Sequence, residues 1–342
     1  MHNIDTIETK RLIARKITDK DFDLLHQMHS DVSVMATLGG IRSAQQTRDN
    51  LQWNLNQWRD NGFGLWVWYD KTTRHFVGRA GLRVVNVTGQ DEVEVAYALL
   101  PQYWNKGFAT EIARACIQIA FERLHLQKLI CFTLVTNKAS QSVMEKVGFH
   151  YVRDIIHASF PHVLYELSSD FYWENVITFK PLAKHHLDLL VTWLNKPHVK
   201  QWWNDGLSPE QIKRKYGERI GDKIVQPFII YLYGKPIGFI QYYYANKVGG
   251  GWWPDISPGV VGIDQFIGEE KYIDKGFGTV FIHQFIKRLF NDEKIIKIIT
   301  DVDPHNIRAI RCYQKVGFEL EKEIATPDGD ALLMEISREK FI

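Results

Sequence analysis

The sequence predicts an α/β fold of the mixed α+β kind, with a central, mostly antiparallel sheet flanked by helices, and it predicts that fold twice. Lys-Gly-Phe occurs at residues 106–108 and again at 275–277, an offset of 169 residues. Each copy stands between a strand-like apolar run and a run with helical spacing. Lys-Val-Gly-Phe at 146–149 recurs at 315–318, which is the same offset. Two separated motifs that repeat at one offset indicate a tandem duplication.

Length and composition agree with two domains. The chain has 342 residues, of which 45% are hydrophobic and 24% charged, so each half can bury a core. We predict a first domain at residues 1–172 and a second at 173–342. The formal net charge of +2 gives no basic surface of the kind that binds nucleic acid.

The cellular compartment and the partners of the protein are predicted from three sequence features: the apolar runs, the first 20 residues and the cysteines. No apolar run approaches the ~20 residues that span a bilayer, and residues 1–20 have no signal-peptide core. The three cysteines follow no metal-binding spacing and are typical of buried thiols in a reducing compartment. We expect a cytoplasmic protein that binds a small molecule, with no metal, nucleic-acid or membrane partner. The sequence leaves a homodimer open.

In the first domain, apolar periodicity gives the element order β-αα-βββ-α-β-α-ββ. Thr18 with Asp19, and Ser43, are the expected N-caps of the first two helices. The predicted elements are a strand at 10–17, helices at 21–28 and 43–59, a hairpin of 64–69 with 76–82, a strand at 94–100, a helix at 112–124, a strand at 129–135, a helix at 139–146 and two closing strands.

The second domain repeats much of this pattern. Ser208 and Pro209 are typical of an N-cap and a first helical position. The predicted elements are a strand at 177–180, a helix at about 184–194, the helix that Ser208 opens, a hairpin of 228–233 with 237–244, a strand at 260–267 and a helix at 280–290.

The repeated glycine turns predict two anion-binding cradles. Glycine lets the backbone approach a ligand closely, and the first N–H groups of the following helix point at it. One pair of glycines would be a weak signal, but the repeat makes it strong. Cradle 1 consists of Lys106, Gly107, Phe108, Ala109 and Thr110, and cradle 2 consists of Lys275, Gly276, Phe277, Gly278 and Thr279.

With these motifs, each half resembles a GCN5-related N-acetyltransferase (GNAT) domain. The family's acyl-CoA signature, Arg/Gln-x-x-Gly-x-Gly/Ala, falls on residues 104–109 and 273–278, and both copies lack the first arginine or glutamine. The first half resembles the RimJ/RimL type over most of 8–168. The second resembles aminoglycoside 6′-N-acetyltransferases over nearly all of 176–342.

The resemblance implies acetyl-CoA as cofactor, with backbone groups and lysines of the cradles holding its pyrophosphate. It also implies cofactor contacts outside the cradles, by Phe266, Ile267, Asn306 and Ala309 in the second half and by Leu99, Asn137 and Ser140 in the first. Ser140 is more typical of a helix cap than of a cofactor contact. Asn306 is expected to bond the pantetheine arm or a backbone carbonyl.

Asp264 is the residue most indicative of chemistry. It interrupts an apolar strand just before cradle 2, and burying a carboxylate is costly unless it is paired or hydrated. An ammonium with a pKa of about 10 must lose a proton before it attacks a thioester. A carboxylate in a cleft can take that proton directly or through water. A structural hydrogen bond is the alternative.

Tyr313 is the candidate acid. Its phenol, with a reference pKa of about 10, suits the protonation of a departing thiolate near ~8.5, and the resemblance places a leaving-group tyrosine there. The alternative is a ring that packs its helix on the sheet. The resemblance also implies that backbone groups of the Asp264 strand polarise the thioester carbonyl.

The first domain lacks this pair of residues. Glu94 is either a base that acts through water or part of a solvated strand face. Met144 stands where the second half has Tyr313, and a thioether cannot donate a proton. The first domain is therefore predicted to be a slow enzyme, an acyl-CoA binder or a structural partner.

An aminoglycoside is a polycation, so its pocket should gather carboxylates and flat aromatic faces. By the resemblance, the substrate-side residues are Trp203, Tyr216, Gln241, Tyr243, Trp253, Asp301 and Asp328. Aminoglycoside acetyltransferases have an acidic residue where this chain has Gly250, which removes one amine contact of about 1–3 kcal/mol.

Three functions are consistent with these residues. The leading hypothesis is an acetyl-CoA-dependent N-acetyltransferase whose second domain acetylates a primary amine by direct attack, with the 6′-amine of an aminoglycoside as the candidate. The second keeps this chemistry but takes an endogenous polyamine, a siderophore amine or a peptide N-terminus. The third is an acyl-CoA sensor with a degenerate first domain.

Overall fold

The computed structural model describes residues 4–203, 206–248, 257–326 and 329–341. The chain divides into two compact units, Met1–Tyr172 and Trp173–Ile342. Each unit is built on one sheet, of eight strands in the first and seven in the second. None of the helices in the described ranges is both long enough and apolar enough to cross a membrane.

The first unit follows the predicted alternation of strands and helices. It opens with β1 (Thr6–Glu8), β2 (Leu12–Lys16), α1 (Phe22–Ser30), α2 (Val32–Met35), α3 (Ala44–Asn61), β3 (Leu65–Asp70), β4 (Phe76–Val87) and β5 (Gln90–Leu99). It continues with α4 (Phe108–Glu122), β6 (Lys128–Leu134), α5 (Lys138–Lys146), β7 (His150–His157) and β8 (Phe160–Ser168), and α6 (Ser169–Val176) crosses the boundary between the two units. The sheet order is β1-β2-β3-β4-β5-β6-β8-β7.

The second unit repeats the central part of this order. Its first elements are β9 (Ile177–Pro181), α7 (Leu187–Leu194), α8 (Pro197–Lys200), α9 (Pro209–Glu218), β10 (Val225–Leu232), β11 (Lys235–Tyr244) and β12 (Val260–Ile267). Its last are α10 (Phe277–Phe290), β13 (Lys297–Val302), α11 (Ile307–Val316), β14 (Glu319–Thr326), β15 (Gly329–Ser337) and α12 (Arg338–Phe341). The sheet order is β14-β15-β13-β12-β11-β10-β9.

Both sheets are mixed and mostly antiparallel, which confirms the predicted fold class. The parallel pairs are β5 with β6 and β12 with β13. In the first unit this pairing is limited to Glu94 with Ile130, and in the second it ends at Gly262 with Ile299. The strand that leads to each cradle therefore runs on beyond its parallel neighbour. Backbone groups of residues 263–267 that face β13 are free of that ladder.

Local capping follows the sequence closely at α3 and less closely at α1. The Ser43 hydroxyl accepts from the Gln46 N–H, and the Gln46 side chain accepts from the Ser43 N–H, as a capping box requires. Before α1, a 3₁₀ turn forms over Asp19–Asp21. The Asp21 carboxylate accepts from the Thr18 N–H at 2.7 Å, so the predicted N-cap at Thr18 opens this turn and α1 begins after it.

An aromatic cluster packs the helices of the second unit onto the sheet. The ring of Trp203 lies edge-on to Phe239 and to Phe266, and Tyr216 also meets Phe239 edge-on. Trp193 contacts Phe266 in the same way. Edge-to-face pairs of this kind stabilise a core beyond the burial of area alone. The cluster holds α7 and α9 against β11 and β12, next to Asp264.

Candidate active site

Cradle 2 is the start of α10, and it is shaped by two left-handed residues. Asp274 has φ 57° and Gly276 has φ 82°. Gly276 is the N-cap, and no side chain caps the helix. The first N–H groups of α10 are therefore left for a ligand. Lys275 and Gly276 are exposed, whereas the Phe277 ring is buried, so Phe277 can meet a cofactor only through its backbone.

Cradle 1 repeats this conformation at the start of α4. Asn105 has φ 56° and Gly107 has φ 75°, at the same spacing as Asp274 and Gly276. Gly107 is again an N-cap without a capping side chain. Phe108 is buried while Lys106 is exposed. The two cradles thus share backbone geometry as well as sequence.

Arg11 is a cradle residue that the sequence motif does not show. Its Nη1 donates to the Lys106 carbonyl oxygen at 2.7 Å, its Nε pairs with the Glu111 carboxylate at 2.6 Å, and its guanidinium lies over the Phe108 ring at 4.2 Å. A groove of about 860 Å³ opens there, with Arg11, Gly107 and Thr110 in its lining. Arg11 thus brings to cradle 1 the guanidinium that the signature lacks at Trp104.

Asp264 lies at the centre of the second unit's candidate site. It pairs with Gln241 across β11 and β12, and its Oδ2 accepts from the Gln241 Nε2 at 2.7 Å. The Gln241 Oε1 in turn accepts from the Arg219 Nη1 at 3.1 Å. Arg219, at the end of α9, is a site residue that sequence reasoning missed. Its only sequence signal is its place three residues after Tyr216.

The environment of Asp264 makes its carboxyl a stronger base than usual. Burial raises the pKa of Asp264 to about 7, and the negative charge of Asp301 acts in the same direction. The hydrogen bond from Gln241 and the positive charges of Arg219 and Lys215 oppose this rise. The effect of burial is the largest, so the pKa of Asp264 rises despite the amide hydrogen bond and the two positive charges.

Tyr313 is buried on α11 and faces the same region. Its hydroxyl lies 3.5 Å from the Gln265 Nε2, and its ring packs edge-on against Phe318. Burial raises the pKa of Tyr313 above its ordinary value of 10.0, and hydrogen bonds with Thr300 and Gln265 only partly offset this. The phenol is therefore protonated near neutral pH. It can donate a proton as well as pack the helix on the sheet.

The predicted substrate-side residues fall into two groups. Gln241, Tyr243 and Asp301 belong to the region of Asp264, since the charges of both carboxylates raise the pKa of Tyr243. Trp203 and Tyr216 belong to the aromatic cluster, where the Trp203 Nε1 donates to the Tyr216 hydroxyl at 3.0 Å and Tyr216 is fully buried. Trp253 and Asp328, like Gly250, lie outside the described residues.

The predicted cofactor contacts outside the cradles have structural partners of their own. Asn306 caps α11, because its Oδ1 accepts from the Ala309 N–H at 3.1 Å. Phe266 is buried in the aromatic cluster, and the carbonyl oxygen of Ile267 lies 3.0 Å from the His198 Nε2. Thr279 and Cys312 approach to 3.5 Å between α10 and α11.

In the first unit, one of these assignments is corrected. Asn137, and not Ser140, is the N-cap of α5: the Asn137 Oδ1 accepts from the Ser140 N–H at 3.1 Å. The Ser140 hydroxyl lies 2.9 Å from the Tyr97 hydroxyl. The carbonyl oxygen of Leu99 accepts from the Trp104 Nε1 at 2.7 Å. Asparagine caps the corresponding helix in both units, as the repeat implies.

Glu94 lies in an environment that the sequence did not show. It is buried, so the solvated strand face is wrong, and its Oε2 accepts from the Arg83 Nε at 2.6 Å. Glu94 and Arg83 thus form an ion pair. Met144 is also buried. The first unit therefore has no proton donor at the position of Tyr313.

Within the described ranges, no group of three or more His, Cys, Asp or Glu residues is placed to hold a metal ion. In both units, the two parallel strands of the sheet separate beside a helix whose N-cap is a glycine. That arrangement is the one that the resemblance to the GNAT acetyltransferase class implies, with one cradle in each unit.

Comparison with known families agrees with this class. A family model described as an acetyltransferase (GNAT) domain matches residues 11–150, and a second model of the same description matches residues 183–326. The chain belongs to the GNAT acetyltransferase family and carries two of its domains in tandem. It is an N-acetyltransferase.

Several relatives are similar to about half of the chain. Aminoglycoside N(6′)-acetyltransferase type 1 of Klebsiella pneumoniae is 39% identical over 170 residues, which cover 48% of this chain and 85% of the relative. YkkB of Bacillus subtilis, an uncharacterized protein, is 32% identical over 47% of this chain and 94% of its own. A solved structure of AAC(6′)-Ib with coenzyme A and kanamycin is 38% identical, with a TM-score of 0.46, and covers 48% of this chain and 96% of that chain.

Proposed function

We propose that the second unit transfers an acetyl group from acetyl-CoA to a primary amine, with Asp264 as the base and Tyr313 as the acid. The observation that supports this most is the carboxyl of Asp264, whose pKa is raised to about 7. A base with a pKa near the working pH combines availability with proton affinity. An ordinary aspartate, near 3.8, would take a proton from an ammonium far less readily.

Acetyl-CoA would bring the acetyl group as a thioester, and the exposed turn of cradle 2 suits its pyrophosphate. Asp264 removes a proton from the ammonium, directly or through one water, and the neutral amine attacks the carbonyl carbon. Backbone groups of β12 beyond Gly262 are free of β13 and suit the developing oxyanion. As the new C–N bond forms and the C–S bond breaks, the Tyr313 phenol protonates the departing sulfur.

For the acceptor we propose the 6′-amine of an aminoglycoside. A relative that is 39% identical is named for that reaction. Two carboxylates, Asp264 and Asp301, stand close enough for one charge to raise the pKa of the other. An acidic pair next to an aromatic cluster suits a polycationic sugar. By the resemblance alone, Trp253 and Asp328 are further candidates for contact with this acceptor.

A second candidate acceptor is an amine with fewer positive charges, such as a polyamine or a peptide N-terminus. The charges of Arg219 and Lys215 act on Asp264, and they repel a polycation. The site is thus less acidic than its two aspartates alone would make it. This observation favours an acceptor that presents one ammonium to Asp264.

The test is to measure CoA release by the full chain with kanamycin, tobramycin, putrescine and a short peptide as acceptors. We expect turnover with at least one aminoglycoside and its loss in the double variant Asp264→Asn, Tyr313→Phe. Turnover with the peptide alone would refute the antibiotic acceptor. Equal turnover by the double variant would refute the assigned roles of both residues.

For the first unit we propose binding of acyl-CoA in cradle 1, within a RimJ/RimL-like domain over residues 1–172. The repeated left-handed pair and the Arg11 guanidinium support a phosphate site there. Transfer by the same mechanism as in the second unit is not supported, because Glu94 is paired with Arg83 and Met144 has no proton to give.

A further inference from the structure

The first unit contains an arginine cluster, defined as Arg42, Arg79 and Arg83, of which Arg79 is buried and the other two are half-buried. Arg79 and Arg83 lie on one face of β4, since side chains alternate along a strand. Arg79 is 4% exposed. Its charge interacts with those of Arg83 and Arg42. A guanidinium this buried normally has a carboxylate or several carbonyl oxygens around it.

The guanidinium groups of the arginine cluster have few hydrogen-bond acceptors and few negative charges around them. The Arg83 Nε pairs with the Glu94 carboxylate at 2.6 Å. The Arg42 Nη1 lies 3.2 Å from the His29 Nε2, and burial and the neighbouring arginines lower the pKa of His29 to about 3, so it is a neutral acceptor. The buried Nε of Arg79 has no hydrogen-bond partner. Among the described residues, three guanidinium groups therefore face one carboxylate.

Small residues lie between the two arginines of β4. Gly81 stands between them on the same face and pairs with Ala96 of β5, while Arg79 pairs with Ala98. On the β5 side, the face between Arg79 and Arg83 therefore carries only methyl groups, whereas on the β3 side it is closed, since a Cβ at Gly81 would meet the Gly64 carbonyl oxygen at 2.3 Å. Arg83 keeps 20% of its side chain exposed and lies under the Trp53 ring, which is 36% exposed. The arginine cluster thus has an edge that reaches solvent.

We propose that the arginine cluster binds the carboxylate or phosphate group of a small anionic molecule. The excess of positive charge and the unpartnered Nε of Arg79 are what such an oxyanion would satisfy. Guanidinium groups match both oxyanions through paired N–H donors. The first unit thereby selects a ligand of opposite charge to the polycation proposed for the second. This inference concerns the first unit and is independent of the Asp264 chemistry.

The test compares anion binding by wild type and Arg79→Met in the full chain without CoA, at constant ionic strength. The probes are succinate for a carboxylate, inorganic phosphate for a phosphate, and putrescine as the cationic control. We expect at least one anion to raise Tm and to bind at least tenfold more weakly to Arg79→Met. Arg59→Met, which removes an exposed arginine paired with Asp60, should bind as wild type does.

Two further readouts separate binding from folding. Arg79→Met should be as stable as wild type without anions, because it removes an unpaired buried charge, and its amine acetylation by the second unit should be unchanged. Glu94→Gln should bind the anion more tightly, because it removes the competing carboxylate. Equal anion binding by wild type and Arg79→Met would overturn the proposal and leave a cradle as the anion site. Weaker or unchanged binding by Glu94→Gln would also overturn it.

Discussion

Asp264 and Glu94 show how neighbouring groups decide what a carboxylate can do. Each lies on the strand that leads to a cradle. Burial and a second carboxylate near it raise the pKa of Asp264, and the neutral amide donor at 2.7 Å only partly opposes this, so its proton affinity is high. Glu94 has a guanidinium at 2.6 Å, which stabilises its charge. The same residue class is therefore suited to proton transfer in one unit and to charge balance in the other.

The pH profile of kcat/KM should report the pKa of Asp264. Because the base works only when ionised, activity should rise with pH up to about 7 and then level off. Asp264→Asn should lower turnover about 10²–10⁴-fold and remove this limb. The measurement is CoA release between about pH 5 and 9, a range that extends about two pH units on each side of the pKa of Asp264. A limb near 7 that persists in Asp264→Asn would assign the titration to another group.

Gln241 should position Asp264 and tune it. Its amide hydrogen bond lowers the pKa of Asp264, so Gln241→Leu should move the acidic limb to higher pH. Activity should fall at pH 6 and recover at pH 9. Gln226→Leu is the matched control, since Gln226 is half-buried on the neighbouring strand and donates to the Lys223 carbonyl oxygen. A purely structural Gln241 would lower activity equally at all pH values.

Asp264 should also weaken the fold at neutral pH. Its pKa is 3.8 in the unfolded chain and about 7 in the folded one, so the folded state holds the proton more tightly. The protonated carboxyl therefore contributes fully to stability below pH 3.8, and this contribution is lost as the pH rises through about 7. We expect Asp264→Asn to raise Tm at pH 8 and to leave it unchanged near pH 4. A lower Tm at pH 8 would mean that the ionised carboxylate stabilises the fold.

At the residue level, the sequence identified the groups that stand out in their own segment and missed those that come from elsewhere. Asp264 is visible because it interrupts an apolar strand. Arg219 and Arg11 are not, because both reach their sites through tertiary packing. Arg11 meets Lys106 across 95 positions of the chain. Glu94 was misjudged for the same reason, since its alternation with valines does not show that Arg83 faces it.

Among the elements, the glycine-capped helices are the feature on which both units depend. A left-handed residue at the N-cap turns the chain so that the first-turn amides face solvent, and glycine takes that conformation without strain. The sequence located both helices but began them late, at 112 and 280, where the structure begins them at Phe108 and Phe277. Helical periodicity detects only the part of a helix that has a regular buried face. The first turn, which forms the cradle, precedes that part, so the predicted helices begin too late.

Gly276→Ala tests the cradle as an element. A Cβ in the left-handed region costs about 1–2 kcal/mol and should tilt the first amides of α10, so KM for acetyl-CoA should rise. Gly234→Ala is the control, because Gly234 has φ +72° in a hairpin turn with open space around it. Both variants should lose similar Tm, but only Gly276→Ala should change KM. Equal KM in the two variants would separate cradle 2 from the cofactor.

The whole molecule is a duplication whose halves have diverged in charge and chemistry. The two Lys-Gly-Phe turns and the two Asn caps remain at the same offset, and the repeat alone predicted two sheets of the same kind. The first unit contains the arginine cluster, whereas the second contains Asp264, Asp301 and Tyr313. A repeat in the sequence predicts a shared fold because turns and caps have local causes. It does not predict which charges meet in the interior.

Two cradles of the same geometry should bind two molecules of CoA per chain. Gly107→Asp and Gly276→Asp each place a carboxylate where the pyrophosphate would lie, and aspartate tolerates the left-handed conformation better than most residues. Calorimetric titration should therefore give a stoichiometry of two for wild type, one for each variant and none for the double variant. Amine acetylation should survive Gly107→Asp and be lost in Gly276→Asp. One site in wild type that only Gly276→Asp removes would show that cradle 1 keeps the shape of a cofactor site without its ligand.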